Sequence, residues 1–104
     1  METFKKLAPF LRRAGVVEIG RERLLQIRKR LAYVLISTDI SENSRKMVLE
    51  SFPCPVYQCL TSEEIESLLG YRGTKLLGFH RSPLANSVLP DLRPHRVTLP
   101  SGKQ

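Results

Sequence analysis

The residues of this chain whose types could make or break bonds are two histidines, two cysteines and a run of glutamates. His80 closes the apolar run "TKLLGFH", and the end of a strand in an α/β sheet is where a catalytic base would sit. The following residues explain the segment without chemistry, because Ser82 suits a helix N-cap and Pro83 its first turn. His95 lies in a proline-rich stretch. Glu63, Glu64 and Glu66 cluster where the first turn of a helix favours acids, so they do not require a paired-carboxylate site. Cys54 and Cys59 lack zinc-ligand spacing and are too few for a disulfide framework, so they read as buried or half-buried thiols. "AGVVEIG" matches neither a dinucleotide fingerprint nor a Walker loop. No convergent reactive set emerges, and the sequence is not read as an enzyme; no metal or cofactor is expected.

The remaining chemistry is cationic. In "IGRERLLQIRKRLAYVLISTDIS", Gly20 opens a helix expected over residues 21–31, with Leu24, Ile27 and Leu31 as its apolar stripe. Arg21 and Arg23 fall in the first turn, where the helix dipole prefers acids, an unfavourable placement of about 0.3–1 kcal/mol. The same free backbone donors attract anions, and the arginine fork matches phosphate. Nine Lys/Arg and three Glu occupy residues 1–30, whereas the remainder is nearly balanced, so most of the +7 formal charge lies in the first third. Arg12, Arg13, Arg21, Arg23 and Arg30 form the expected electrostatic footprint. A solvated helix face remains the competing explanation of the charge.

The elements that must position these residues alternate along the chain. A helix is expected over 3–14, or from Pro9 onward, ending at Gly15; "VVEI" is a short strand; "YVLIS" is a central strand covered on both faces. Asp39 or Ser41 caps a helix over 42–51, and "PVYQCL" is the next strand. Thr61 and Glu64 read as a capping box for a helix ending at Gly70. "TKLLGF" is a strand and "SPLANSVL" a final helix. This order predicts an α/β fold: a three-layer α/β/α sandwich with a roughly four-stranded central sheet, in a single domain over residues 1–89. Residues 90–104, with Pro90, Pro94 and Pro100, are expected to be an extended or disordered tail. The basic N-terminus has some character of an organelle-targeting segment but lacks its serine content, so it is read as part of the domain and the protein as cytoplasmic. No run has the roughly 18 apolar residues of a membrane span.

The order and spacing of "RRAGVVEIGRERLLQ", "AYVLISTDISENSRKMV", "PVYQCLTSEEIESLLGY" and "KLLGFHRSPLANSV" resemble the kink-turn-binding ribosomal protein superfamily, the large-subunit "seven-Ae" and "thirty-e" proteins and their small bacterial relatives. The resemblance covers about residues 4–89. It implies the same sandwich and RNA binding, in many members to a kinked helix with sheared G·A pairs. The family's contacting turn is Gly-x-Asn-Glu followed by Lys. Gly20 matches, while Glu22, Arg23 and Gln26 stand at the Asn, Glu and Lys positions. A second contact region maps onto Leu60 and Thr61, and onto Tyr71 and Arg72, where an aromatic could stack on a base and an arginine hold phosphate. The resulting expectation is a small RNA-binding protein, associated with structured RNA or the ribosome, contacting it through Gly20, Arg21, Glu22, Arg23, Gln26, Arg30, Thr61, Tyr71 and Arg72. No membrane or small-molecule partner is expected. The alternative is a protein-interaction or scaffold domain that has kept the fold and lost kink-turn recognition. An enzyme using His80 is a third, weaker reading.

Overall fold

The computed structural model describes residues 1–99. Its first helix, α1 (Glu2–Arg13), continues through Pro9 and places Phe4, Ala8 and Leu11 in the core. The chain then forms β1 (Val17–Glu18), α2 (Arg21–Gln26), a 3-10 turn (Arg28–Arg30) and β2 (Leu31–Ile36). α3 (Glu42–Ser51), β3 (Val56–Gln58), α4 (Ser62–Leu69), β4 (Leu76–His80) and α5 (Pro83–Leu92) follow. A second 3-10 turn (Arg93–His95) leads into β5 (Arg96–Val97).

The five strands form one mixed sheet in the order β1-β4-β2-β3-β5, with β2 and β3 parallel and the other pairings antiparallel. Alternation along the central strands sends their side chains to two separate cores. Tyr33, Leu35, Leu77 and Phe79 pack with Phe4, Leu11, Ile65 and Val88, which places α1, α4 and α5 on one face. Val34, Ile36 and Val56 pack with Leu24, Ile27 and Val48, which places α2 and α3 on the other. The protein is a three-layer α/β/α sandwich. Among the described residues no helix is long and apolar enough to cross a membrane.

The local signals that start helices act as the sequence indicates. Thr61 and Glu64 form a reciprocal capping box, with Glu64 N donating to Thr61 Oγ1 (3.1 Å) and Thr61 N to Glu64 Oε1 (2.8 Å). Ser41 accepts from Ser44 N at 3.2 Å and Ser82 accepts from Ala85 N at 2.9 Å. Gly70 ends α4 at φ +81, the left-handed conformation that suits glycine.

Two expectations need correction. The helix expected to reach residue 31 ends at Gln26: the chain tightens at Ile27 (φ −106, ψ 14), and Leu31 is already in β2. Arg28 Nη1 donates to Leu25 O at 2.6 Å, so a basic residue satisfies a carbonyl at the helix end. The segment from Pro90 is also not an extended tail in its described part. α5 continues through Pro90, Leu92 is fully buried, and Val97 pairs with Val56 to add the fifth strand. The Asp91 carboxylate accepts from Phe4 N at 2.8 Å and pairs with the amino terminus at 3.3 Å, tying this segment to the start of α1. The part of the expected tail after Leu99 lies outside the described residues.

Gly78 in β4 sets the distance between α2 and the sheet. A Cβ built there would come within 2.5 Å of Leu24 Cδ2 and 3.0 Å of Leu31 Cδ1. Replacing Gly78 by Ala is therefore expected to lower stability by about 1–3 kcal/mol through overpacking, read as a lower urea midpoint with an unchanged m-value.

Candidate nucleic-acid interface

Gly20 lies where β1 leaves the sheet, and its φ of +98 is a conformation that side chains rarely adopt. The chain turns there into α2, whose first hydrogen bond runs from Leu24 N to Gly20 O at 2.9 Å. At the same end of the sheet β2 runs out toward α3, and Ser37 N donates to Lys75 O (3.0 Å) immediately before β4. These three crossings enclose an open cleft of about 360 Å³ lined by Gly20, Arg21, Ile40, Ser41, Ser44, Met47, Val48, Thr74, Lys75 and Leu76. Its volume falls in the range of sites that hold small groups, roughly 300–1,000 Å³.

The cleft has an apolar floor from Met47, Val48 and Leu76 and a polar rim from Arg21, Lys75 and three hydroxyl residues. Arg21 and Lys75 are exposed and come from different crossings. Ser41 Oγ accepts from Ser44 N and keeps its own proton to donate outward. Such a rim can hold a phosphate or the edge of a base by charge-assisted hydrogen bonds. Because α2 is only six residues long, its dipole adds little, and the anion affinity rests on the side chains.

The expected site residues do not all meet here. Gly20 and Arg21 line the cleft; Glu22, Arg23 and Gln26 are exposed on α2 but do not line it. Glu18 Oε2 lies 3.1 Å from His80 Nε2 and 3.8 Å from Arg23 Nη2, so Arg23 already has an anionic partner and His80 a structural one. Exposed pairs of this kind contribute about 0–1 kcal/mol, weak enough to exchange for phosphate. Thr61 is engaged in its capping box. Tyr71 packs against the α1/α4/α5 core, with the Arg12 guanidinium 4.7 Å from its ring centroid. Arg12 Nη1 also donates to Leu69 O at 2.9 Å, so this cation closes the carboxyl end of α4. Arg72 is exposed and lies outside the cleft lining, and Arg30 stands at the opposite end of β2.

Ser41, Ser44, Thr74 and Lys75 were not anticipated. A signal existed: Thr74 and Lys75 immediately precede β4, and Ser41 and Ser44 lie at the start of α3, all on the side where β2 and β3 finish, the position that favours ligand crevices in open α/β sheets.

Several titratable groups of the fold are shifted by their surroundings. The Ser62 hydroxyl, 2.6 Å from Asp39 Oδ2, is the main cause that lowers the Asp39 pKa to about 2 from 3.8. Burial raises the Cys59 thiol to about 11 and also raises Cys54, so both are protonated at neutral pH. Burial likewise raises Tyr33, whose hydroxyl donates to Ala85 O at 2.8 Å. Among the described residues no group of three or more His, Cys, Asp or Glu is arranged to hold a metal ion.

No protein-family model matches the sequence, and no curated protein matches it significantly. A solved structure from Bacillus halodurans C, of a protein with unknown function, is similar with a TM-score of 0.74 and 16% identity, over 84% of this chain and 93% of that one. At that identity the likeness concerns the fold.

The Asp39 shift gives a directional test. Its folded pKa is depressed, so its contribution to stability is present above about 3.8 and is lost as pH falls toward about 2. In urea denaturation, the gap in midpoint between wild type and Asp39→Asn is expected to narrow across that window and to be largest near neutral pH.

Proposed function

We propose that the protein is a small RNA-binding module that grips the backbone of a structured RNA at the Gly20 cleft. One observation carries this reading: Arg21 and Lys75, from separate crossings, share a cleft with the hydroxyl residues Ser41, Ser44 and Thr74. Two cations supply attraction, and neutral donors next to them suit phosphate oxygens and base edges. The position of Gly20, the β2 end and the loop before β4 is also consistent with the resemblance to kink-turn-binding ribosomal proteins. On that reading the RNA is ribosomal or another folded RNA, and the Gly20 turn allows close approach of the backbone.

The scaffold reading is favoured by a different observation. Glu22, Arg23 and Gln26, which stand where the family reads its kinked RNA, lie outside the cleft lining, and Glu22 repels phosphate. RNA binding here is therefore expected to depend on backbone and shape more than on a kink-turn sequence.

Binding measured by fluorescence anisotropy with a labelled RNA hairpin over a series of salt concentrations tests the site. Arg21→Gln/Lys75→Gln is expected to lower the magnitude of the slope of log K against log salt by about 1–2, since each lost phosphate contact removes roughly 0.7–0.9. An unchanged slope and affinity would contradict the assignment.

A further inference from the structure

The cleft end of the sheet carries charge of both signs. α3 and α4 begin there, and they bring Asp39, Glu42, Glu63 and Glu64 to the same end as Arg21 and Lys75. At the opposite end, where β2 begins, the topology gathers cations from three separate segments. Arg28, Lys29 and Arg30 form the turn that leads into β2. Leu31, the first residue of β2, pairs with His80, the last of β4. Arg30 immediately precedes the one and Arg81 immediately follows the other, so the two arginines flank this last pairing of the sheet. His80 N donates to Val16 O at 2.8 Å, which brings the end of α1, with Arg13, to this side as well.

Arg28 is occupied with Leu25 O, and Arg13 lies over the Phe10 ring. Lys29, Arg30 and Arg81 are exposed, and among the described residues their side chains have no hydrogen-bond or ion-pair partner. Guanidinium groups that flank one strand pairing are long and planar enough to converge on a shared phosphate.

We infer that this end of the sheet is a second backbone contact for the RNA, and the inference rests on the RNA reading of the cleft. The two ends are separated by the six residues of β2, roughly 20 Å at about 3.3 Å per residue. The partner is therefore a folded RNA with a stem long enough to pass along α2 from one end to the other. An isolated nucleotide cannot bridge that span. RNA is favoured over an acidic protein because the contact is exposed and unsheltered. Single carboxylates gain little from exposed arginines, whereas a polyphosphate that displaces its condensed counterions gains at each contact.

The experiment compares wild type, the cleft variant Arg21→Gln/Lys75→Gln and the far-end variant Lys29→Gln/Arg30→Gln/Arg81→Gln on the same labelled hairpin across salt. Coincident thermal melts establish that both variants are folded. The far-end variant is expected to lose about 2–3 from the magnitude of the salt slope, independently of the cleft variant. Arg30→Lys/Arg81→Lys is expected to keep the wild-type slope. A far-end variant with the wild-type slope, beside a flattened cleft variant, overturns the second contact and leaves the cleft reading standing. Displacement of the hairpin by poly-glutamate as readily, per charge, as by unlabelled RNA also overturns it, in favour of an acidic protein partner. No wild-type binding at about 50 mM salt, where polyanion contacts are strong, defeats both.

Discussion

The close seat of Leu24 on Gly78 is the contact on which the rest of the structure depends. A glycine in the middle of β4 leaves a depression in the sheet, and Leu24 and Leu31 fill it from above. This holds the short α2 against β4 and fixes where the chain must turn at each of its ends. At one end lies Gly20, whose positive φ starts the helix beside the end of β2. At the other lies the Arg28–Arg30 turn that feeds β2. A bulkier residue at Gly78 would press on Leu24 and Leu31, so this packing bears on the seat of α2 and on the turns at its two ends.

The consequence is a molecule whose charge follows its topology. α3 and α4 begin at the cleft end with Glu42, Glu63 and Glu64 in their first turns, as the helix dipole favours, while α2 begins there with Arg21 and Arg23. The basic turn at residues 28–30 and Arg81 collect at the other end. The +7 formal charge is thus not spread evenly over the surface. Arg12 and Tyr71 show the reverse case, in which residues suited to RNA instead stabilise one another across α1 and α4.

How much of this was legible in the sequence depended on the range of the interaction involved. The Thr61–Glu64 box and the Ser82–Pro83 start were readable because their partners lie within three residues. The apolar runs at β2 and β4 likewise announced buried strands. The stop at Gln26 was not readable: the stripe of Leu24, Ile27 and Leu31 continues at helical spacing, and only the strand pairing of Leu31 with His80 draws the chain out of the helix. Pro90 suggested a break, yet Asp91 and Leu92 are anchored by α1 and the core, contacts nearly the whole chain away in sequence. For the site, Gly20 and Arg21 stood out by type and position. Lys75, Ser41 and Ser44 join them only through the sheet order, whereas the pairing of Arg23 with Glu18 is a local contact across the Gly20 turn that residue types alone did not signal.

The central claim is that RNA lies along α2 and touches both ends of the sheet. Ultraviolet crosslinking of the wild-type protein to an RNA hairpin, followed by mass-spectrometric mapping of the crosslinked peptides, tests it most directly. The account predicts crosslinks in the segments around Gly20–Arg30 and Thr74–Arg81. Crosslinks confined to α1, α4 or α5, on the other face of the sheet, would contradict it.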